Sequence, residues 1–294
     1  MEYQDYPRLY RASDSSAINA EKRQFQLVQM RIALLLITAG VSSVAWSQLT
    51  DYRVLAGAAS ASFLVILMAL SAFMDSKKFD RVWFNSRAVA ESVKKETWSF
   101  MMKAEPYNSN ISEEMAEKRF LDRLKEILDR QRPIFSELSS SQQGPEITGY
   151  MRQMRQKKVE NRKTCYVQER IRDQKDWYAI KAKSNQARAS LWYAITWILQ
   201  VVAVIGAFII ISLKDFVINP VGILTTAGAG VLSWTNARSY QELSQSYGFI
   251  THELSLLEAH AEQALTEEKL AEIVSEVETA TSREHTIWLE RRLV

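Results

Sequence analysis

Four stretches of the chain carry no charged residue and are long enough to cross a lipid bilayer: residues 32–50, 54–74, 189–213 and 216–237. A spanning helix needs roughly 20 apolar residues, because each adds about 1.5 Å across about 30 Å of hydrocarbon. The alternative, buried helices of a soluble bundle, rarely needs runs this long. The sequence therefore predicts an all-α, polytopic membrane protein with four spans.

Short links join the spans in pairs. Residues 51–53 separate the first two spans, and Lys214 and Asp215 separate the last two, so two tight helical hairpins are expected. Each hairpin tip holds one basic and one acidic residue. The other ends of the spans hold the basic residues Lys22, Arg23, Arg31, Lys77, Lys78, Arg81, Lys181, Lys183, Arg188 and Arg238. Because lysine and arginine favour the cytoplasmic side, both termini and the middle segment are expected there.

Helices with apolar seams are predicted outside the spans. A coiled-coil-like seam follows the second span and ends before Pro106; it consists of Phe79, Val82, Ser86, Val89, Val93, Glu96 and Phe100. A shorter helix is expected over residues 111–132, with Ser112 as its N-cap and Pro133 after its end. The polar stretch at 136–150 predicts a linker between two domains, residues 1–135 and 151–294.

The second half repeats this plan. Residues 151–188 run into the third span without glycine or proline, which predicts long helix there, with a seam of Trp177, Ile180, Ser184, Ala187 and Leu191. An apolar seam also follows the fourth span and runs from Tyr240 to Ala264. A last helix is expected from about Thr266. The apolar residues on one side of it are Leu270, Ile273, Val277, Ile287 and Trp288. Residues 152–188 hold twelve basic and four acidic residues, whereas 238–294 hold five and eleven. The two segments are therefore expected to pair as an antiparallel stalk.

Residues 87–98, RAVAESVKKETW, followed by Glu105-Pro106-Tyr107, resemble the SLATT superfamily, the SMODS- and SLOG-associating two-transmembrane effector domains. The second half shows a similar set around residues 176–185, 233–254 and 284–288. The family-like positions are Trp98, Pro106, Tyr107, Trp177, Tyr178, Trp234, Tyr240, Tyr247 and Trp288. The chain thus resembles a tandem of two different SLATT types, with 1–135 and 151–294 as the two units.

This resemblance implies a membrane effector of a bacterial conflict or antiphage system. Such effectors are proposed to oligomerise into pores that permeabilise the inner membrane on a cytoplasmic trigger. The implied partner is a cytoplasmic sensor or synthase of a nucleotide signal. The alternative is a non-conducting membrane anchor or scaffold whose helical stalk recruits a partner.

The residues argue against an enzyme. The sequence has no phosphate-cradling glycine loop, no glycine-flanked serine nucleophile and no metal-ligand cluster, so no catalytic residue, metal or cofactor is predicted. His252 and His260 are eight residues apart without an obvious third ligand, and are interpreted as solvated or interface side chains. Cys165 lies among basic residues that could lower its pKa, although a structural thiol is the favoured interpretation.

Small and polar residues within the spans are the candidates for close helix packing or for lining a pore: Gly222, Thr226 and Gly230, Gly57 and Ala61, and Gln200. Small residues four apart allow helices to approach closely. Packing within one protomer is favoured over pore lining. Four uncharged spans cannot enclose a hydrated channel alone, so a pore requires a homo-oligomer.

A basic run precedes the third span: Arg152, Arg155, Lys157, Lys158, Arg162 and Lys163. It is a candidate contact for anionic lipid or a nucleotide signal. Because no aromatic residues suited to base stacking are interleaved, no direct nucleic-acid contact is expected. The favoured interpretation is pairing with the acidic C-terminal segment.

Overall fold

The structure, a computed structural model, describes residues 1–44, 52–130, 143–212, 219–264 and 266–292, with the backbone alone at 212 and 283–292. These residues fold almost entirely into helices, which confirms the predicted all-α class. The helices are α1 (Arg8–Ser42), α2 (Arg53–Lys77), α3 (Phe79–Met102), α4 (Glu113–Arg130), α5 (Gly149–Gln156), α6 (Val159–Tyr166), a π-helical turn (Val167–Arg172), α7 (Asp173–Ser212), α8 (Pro220–Arg238), α9 (Tyr240–Glu262) and α10 (Glu267–Arg292).

Three helical segments are long and apolar enough to cross a membrane, judged by length and composition: Arg8–Ser42, Arg53–Met102 and Val159–Ile211. The fourth predicted span begins outside the described residues and continues as the 19-residue helix α8, which is not among the three. Four spans therefore remain a prediction. Three further predicted features lie wholly or partly outside the described residues: residue 51 of the first hairpin tip, the second hairpin tip, and the linker up to residue 142.

The chain divides into two compact units. The apolar unit comprises Lys22–Phe79 and Lys183–Ser244. The polar unit comprises Met1–Glu21, Asp80–Ala182 and Gln245–Val294. Each unit draws on residues from both sides of the predicted linker. Corresponding segments of the two halves are thus grouped together, apolar helices in one unit and charged helices in the other.

Large apolar side chains cover the surface of the apolar unit. They include Val54, Leu55, Leu64, Val65, Ile66, Met68, Leu191, Trp197, Ile198, Val201, Ile205, Phe208 and Ile211, all exposed. A soluble protein rarely exposes so large a contiguous apolar surface. Helices with bulky apolar side chains on the outside satisfy their backbone groups internally and fit the bilayer interior. This surface supports membrane insertion of the unit.

Each hairpin is followed by a sharp turn at one residue. Lys78 lies between α2 and α3, and Ser239 lies between α8 and α9; both have a left-handed backbone with φ of 48°. Each donates its N–H to the carbonyl four residues earlier, at 2.9 and 2.8 Å. An aromatic ring follows each turn beneath an arginine, with Arg23 over Phe79 and Arg188 over Tyr240. The two halves therefore share this geometry, although neither turn contains the glycine that would signal it.

The polar unit has a dense core built on α3. Ser86, Val89, Val93 and Phe100 of the predicted α3 seam are buried. The core cluster also contains Trp98, Tyr107, Phe120 and Tyr166, and residues of α9 and α10. The Ser112 hydroxyl accepts the Met115 N–H at 3.2 Å, which confirms the predicted N-cap of α4.

Helices α7 and α9 pair antiparallel, as predicted. Tyr247 packs against Trp177 and Tyr178, whereas Arg172, just before α7, pairs with Glu258, later on α9. The predicted α7 seam was wrong by one position. Ile180 is 69% exposed, while Ile171 and Tyr178 are buried. These two side chains lie seven residues apart and set which face of the helix turns inward.

The long helix predicted to run through residues 151–188 was wrong. Lys157 and Lys158 have extended backbones that separate α5 from α6, and a π-helical turn precedes α7. The Lys157 carbonyl accepts a hydrogen bond from Arg162 Nε at 3.1 Å, so a side chain satisfies a group that a continuous helix would have paired internally. With neither glycine nor proline at the break, no local signal marked it.

Candidate functional site

Two of the six residues of the basic run lie in the interior of the polar unit. Arg155 and Arg162 are buried and reach the carboxyl end of α3. Arg155 Nη1 donates to the carbonyls of Phe100 and Tyr107 at 2.7 and 3.0 Å, and Arg162 Nη1 donates to the carbonyl of Met102 at 2.8 Å. The last carbonyls of a helix lack intrahelical partners and carry partial negative charge. The two guanidinium groups therefore cap α3.

The break between α5 and α6 explains how both arginines reach one helix end. On a continuous helix, residues 155 and 162 would be separated by about 10.5 Å along the axis. Their targets, the carbonyls of Phe100 and Met102, are only two residues apart. Interrupting the helix at residues 157–158 brings the two guanidinium groups to the same place.

Acidic partners hold the outer parts of the same run. Arg152 binds the Glu117 carboxylate at 2.6 and 3.0 Å, and this hydrogen bond lowers the pKa of Glu117. Arg155 pairs with Glu113 at 2.6 Å, and Arg162 pairs with Glu267. Pairing with the acidic C-terminal segment therefore holds for Arg162, whereas Arg152 and Arg155 pair with α4 instead.

A third cap involves the end of α9. Lys163 Nζ donates to the carbonyls of Glu262 and Ala264, at 3.3 and 2.9 Å. Cations of one segment thus cap both long helices that follow the hairpins, α3 and α9. Only Lys157 and Lys158 of the run have exposed side chains with no hydrogen bond or ion pair to any described residue. These two lysines are the members of the run that remain accessible to a ligand.

A buried ion pair connects the π-helical turn to α10. Arg170 Nε and Nη2 donate to the two Glu278 carboxylate oxygens at 2.8 and 2.6 Å, and the Tyr166 hydroxyl donates to Glu278 at 3.0 Å. Burial and the Glu278 charge raise the pKa of Tyr166. Although burial alone would lower the pKa of Arg170, the Glu278 carboxylate raises it. Sequence reasoning missed this pair; the available signal was the position of Glu278 four residues after Val274, on the buried side of α10.

The family-like aromatic residues occupy different environments. Trp98, Tyr107, Tyr178 and Tyr240 are buried, and Trp98 packs edge-on against Tyr166. Trp177 is partly exposed, and Tyr247 contacts both Trp177 and Tyr178. Trp234 packs on Phe25, and the Arg238 guanidinium lies over both rings. The Pro106 carbonyl accepts a hydrogen bond from Arg119. The Trp288 side chain lies outside the described residues.

The candidate packing or pore-lining residues differ in their exposure. Gly230 is buried against Ile32 of α1, whereas Gly222, Gly57, Ala61 and Gln200 are exposed. Thr226 is partly buried, and its hydroxyl donates to the Gly222 carbonyl at 2.8 Å. Gly222, Thr226 and Gly230, which are four residues apart on α8, therefore differ in burial: the first is exposed, the second is partly buried and the third is packed against α1.

A different set of α8 residues forms a continuous exposed stripe. Its members are small or polar: Gly222, Thr225, Ala229, Ser233 and Asn236. The spacings of three and four place them along one face of the helix. The exposed Leu232 lies at the edge of this stripe and is its one bulky apolar neighbour among the exposed residues of α8. From Leu191 onward, most exposed positions of α7 carry bulky apolar side chains instead, among them Val201, Ile205 and Phe208. The exposed surface of α8 is therefore richer in small and polar residues than that of α7, although Leu232 on α8 and Gln200 on α7 are exceptions.

Replacing Gly230 with alanine is expected to weaken the α1–α8 contact by about 1–3 kcal/mol. The added Cβ would lie 2.9 Å from Ile32 Cγ2, and a β-branched side chain has little freedom to move away. Gly222→Ala is the matched control, because nothing lies within 4 Å of its added Cβ. Thermal unfolding in detergent checks the difference; equal effects of the two substitutions would contradict it.

The Cys165 thiol lies 3.8 Å from the Tyr150 hydroxyl in the polar unit. Cys165 is half-buried, and burial raises the pKa of its thiol, opposite to the lowering that its basic neighbours suggested. His252 and His260 are exposed on α9. Within the described ranges, no group of three or more potential ligands is placed to hold a metal ion.

The helical architecture and the exposed apolar surface define a helical membrane protein with additional charged helices. Two family models match it in tandem: SMODS and SLOG-associating 2TM effector domain 3 matches residues 7–163, and domain 1 of that series matches residues 166–288. The chain therefore belongs to the SLATT family and combines two of its types, which confirms the resemblance. No curated protein and no solved structure shows significant similarity to it.

Proposed function

We propose that this chain is a membrane effector of a bacterial conflict system, acting in antiviral defence. Several copies assemble into a pore that permeabilises the inner membrane when a cytoplasmic trigger releases them. Both matched domains are described as two-transmembrane effector domains, which supports the effector role. The observation that best supports a pore is the exposed stripe of small and polar residues on α8.

The stripe is poorly suited to lipid. Polar groups are unfavourable in hydrocarbon, and small residues in membrane helices mark places where another helix approaches. The Thr225 hydroxyl bonds to the Val221 carbonyl of its own helix at 2.8 Å, so it does not require a fixed partner outside the chain. A face of this kind suits a neighbouring copy or a water-filled lumen. One chain has too few spans to enclose a lumen, so the pore is a homo-oligomer.

The proposal implies an orientation and a trigger. Both hairpin tips are expected outside the cell, and the polar unit is expected in the cytoplasm, where it meets a sensor or synthase of a nucleotide signal. Lys157 and Lys158 are the candidate contacts for the signal or for anionic lipid, because the other basic residues of the run serve internal contacts.

Cysteine accessibility in liposomes tests the lumen. Thr225→Cys in a Cys165→Ser background is expected to react with a charged thiol reagent and to lose ion flux. Val204→Cys is the matched control, because Val204 is exposed among the bulky apolar residues of α7. Reaction and block at position 225 alone support the pore.

The mass of the purified protein in nanodiscs is the accompanying measurement. Four or more copies are expected. A monomer or simple dimer that carries no flux would overturn the pore and favour the non-conducting scaffold. Equal reactivity at positions 204 and 225 would remove α8 as the lining helix.

A further inference from the structure

Helix α9 carries a second seam that no described residue of the protomer covers. Phe249 and Leu256 are 66% and 68% exposed, although both lie in the polar unit. Gln245, His252 and Ala259 are exposed on the same side of the helix. The five positions are separated by four, three, four and three residues. This alternation is the heptad spacing of helices that pack side by side.

The opposite face of α9 is already occupied. Ile250, Leu254, Leu257 and Ala261 are buried in the core of the polar unit. Glu258 faces α7, where Arg172 and Lys175 bind it. Helix α9 therefore has one seam packed within the chain and another, from Gln245 to Ala259, that remains exposed among the residues that the structure describes.

The charges beside the exposed seam suit an identical helix. In heptad register the flanking positions are Gly248 and Ser255 on one side and Ser246, Glu253 and His260 on the other. Glu253 is the single permanent charge among these five residues. Two copies of the seam can therefore approach in parallel without placing like permanent charges across the contact.

Membrane insertion makes a second copy the fitting occupant. Chains anchored by the same spans share one orientation and one depth in the bilayer. The same residue of α9 in two neighbouring copies is therefore at equal height above the bilayer, which a symmetric parallel contact requires.

We propose that Gln245, Phe249, His252, Leu256 and Ala259 form the surface through which α9 packs in parallel against α9 of neighbouring copies. The inference deepens the proposed function, because it assumes the homo-oligomer and names one surface that builds it. Position 256 then lies next to its counterpart in the adjacent copy. The exposed stripe of α8 is a separate surface.

Disulfide cross-linking in native membranes tests the contact. Leu256→Cys in a Cys165→Ser background is expected to give a covalent dimer on mild oxidation with copper phenanthroline. Leu121→Cys is the matched control, because Leu121 is an exposed leucine, at 47%, on α4 of the same unit. A dimer at 256 and none at 121 supports the surface. No dimer at 256, or equal yields at both positions, overturns it.

A second measurement separates this surface from pore function. The double variant Phe249→Ser and Leu256→Ser is expected to lower the number of copies per nanodisc, whereas Leu121→Ser leaves it unchanged. If the double variant keeps its copy number and its ion flux, the proposed α9 contact is wrong, whereas the proposed pore function is retained. If the cross-link at position 256 forms but the wild-type protein never conducts ions, the proposed α9 contact is retained, whereas the proposed pore function is wrong.

Discussion

Replacing Glu278 with alanine is expected to destabilise the polar unit by about 3–5 kcal/mol, because it leaves a buried arginine without its counter-ion. Arg170 and Glu278 are both almost fully shielded from solvent, and two hydrogen bonds join them. Tyr166 would lose its acceptor as well. Urea unfolding in detergent, followed by circular dichroism, and hydrogen exchange in peptides from α3 and α10 measure the loss.

Glu276→Ala is the control for this substitution. Glu276 lies two residues earlier on α10 and is exposed, so its removal is expected to change stability by no more than about 0.5 kcal/mol. Glu278→Gln keeps the side-chain shape and should cost less than alanine. If Glu278→Ala were as stable as Glu276→Ala, the buried pair would not hold the unit together.

The second large effect is expected at Trp98. This side chain has 0% exposure, and its ring centroid lies 5.5 Å from that of Tyr166. Trp98→Ala should cost about 3–5 kcal/mol, because it opens a cavity in the core of the polar unit. Trp177 is the matched comparison, since it is also a family-like tryptophan but is 39% exposed. Its replacement removes an aromatic contact with Tyr247 and should cost about 1 kcal/mol.

The same unfolding and exchange measurements distinguish the two tryptophans. Trp98→Phe should recover part of the loss, because it refills much of the cavity. Similar losses for Trp98→Ala and Trp177→Ala would contradict the assignment of Trp98 alone to the core.

The helices and spans were largely predictable because their signals are local. Runs without charge indicated apolar helices, and Ser112 ahead of an amphipathic stretch indicated where α4 begins. The interruption at residues 157–158 was not predictable, because it depends on Arg155 and Arg162 reaching the end of α3. The turns at Lys78 and Ser239 were not predictable either, because neither position holds the glycine that usually adopts a left-handed backbone.

The interpretation of the basic run shows a similar limit. Net charge predicted correctly that Arg162 finds an acidic partner in the C-terminal segment. Charge could not predict that Arg155 binds backbone carbonyls, because these acceptors are created only when α3 ends and Tyr107 folds back beside it. The same is true of Lys163 at the end of α9. Side chains that cap distant helices resemble ligand-binding residues when only their sequence is known.

The caps on α3 bear on stoichiometry. Arg155 and Arg162 cap α3 within the first matched domain, and Arg162 also pairs with Glu267 on α10 of the second. Every chain thus delivers one copy of each of its two SLATT types, already packed together in the polar unit. Any assembly built from this chain contains the two types in a one-to-one ratio. Its repeating subunit includes both matched domains, which therefore occur in equal numbers.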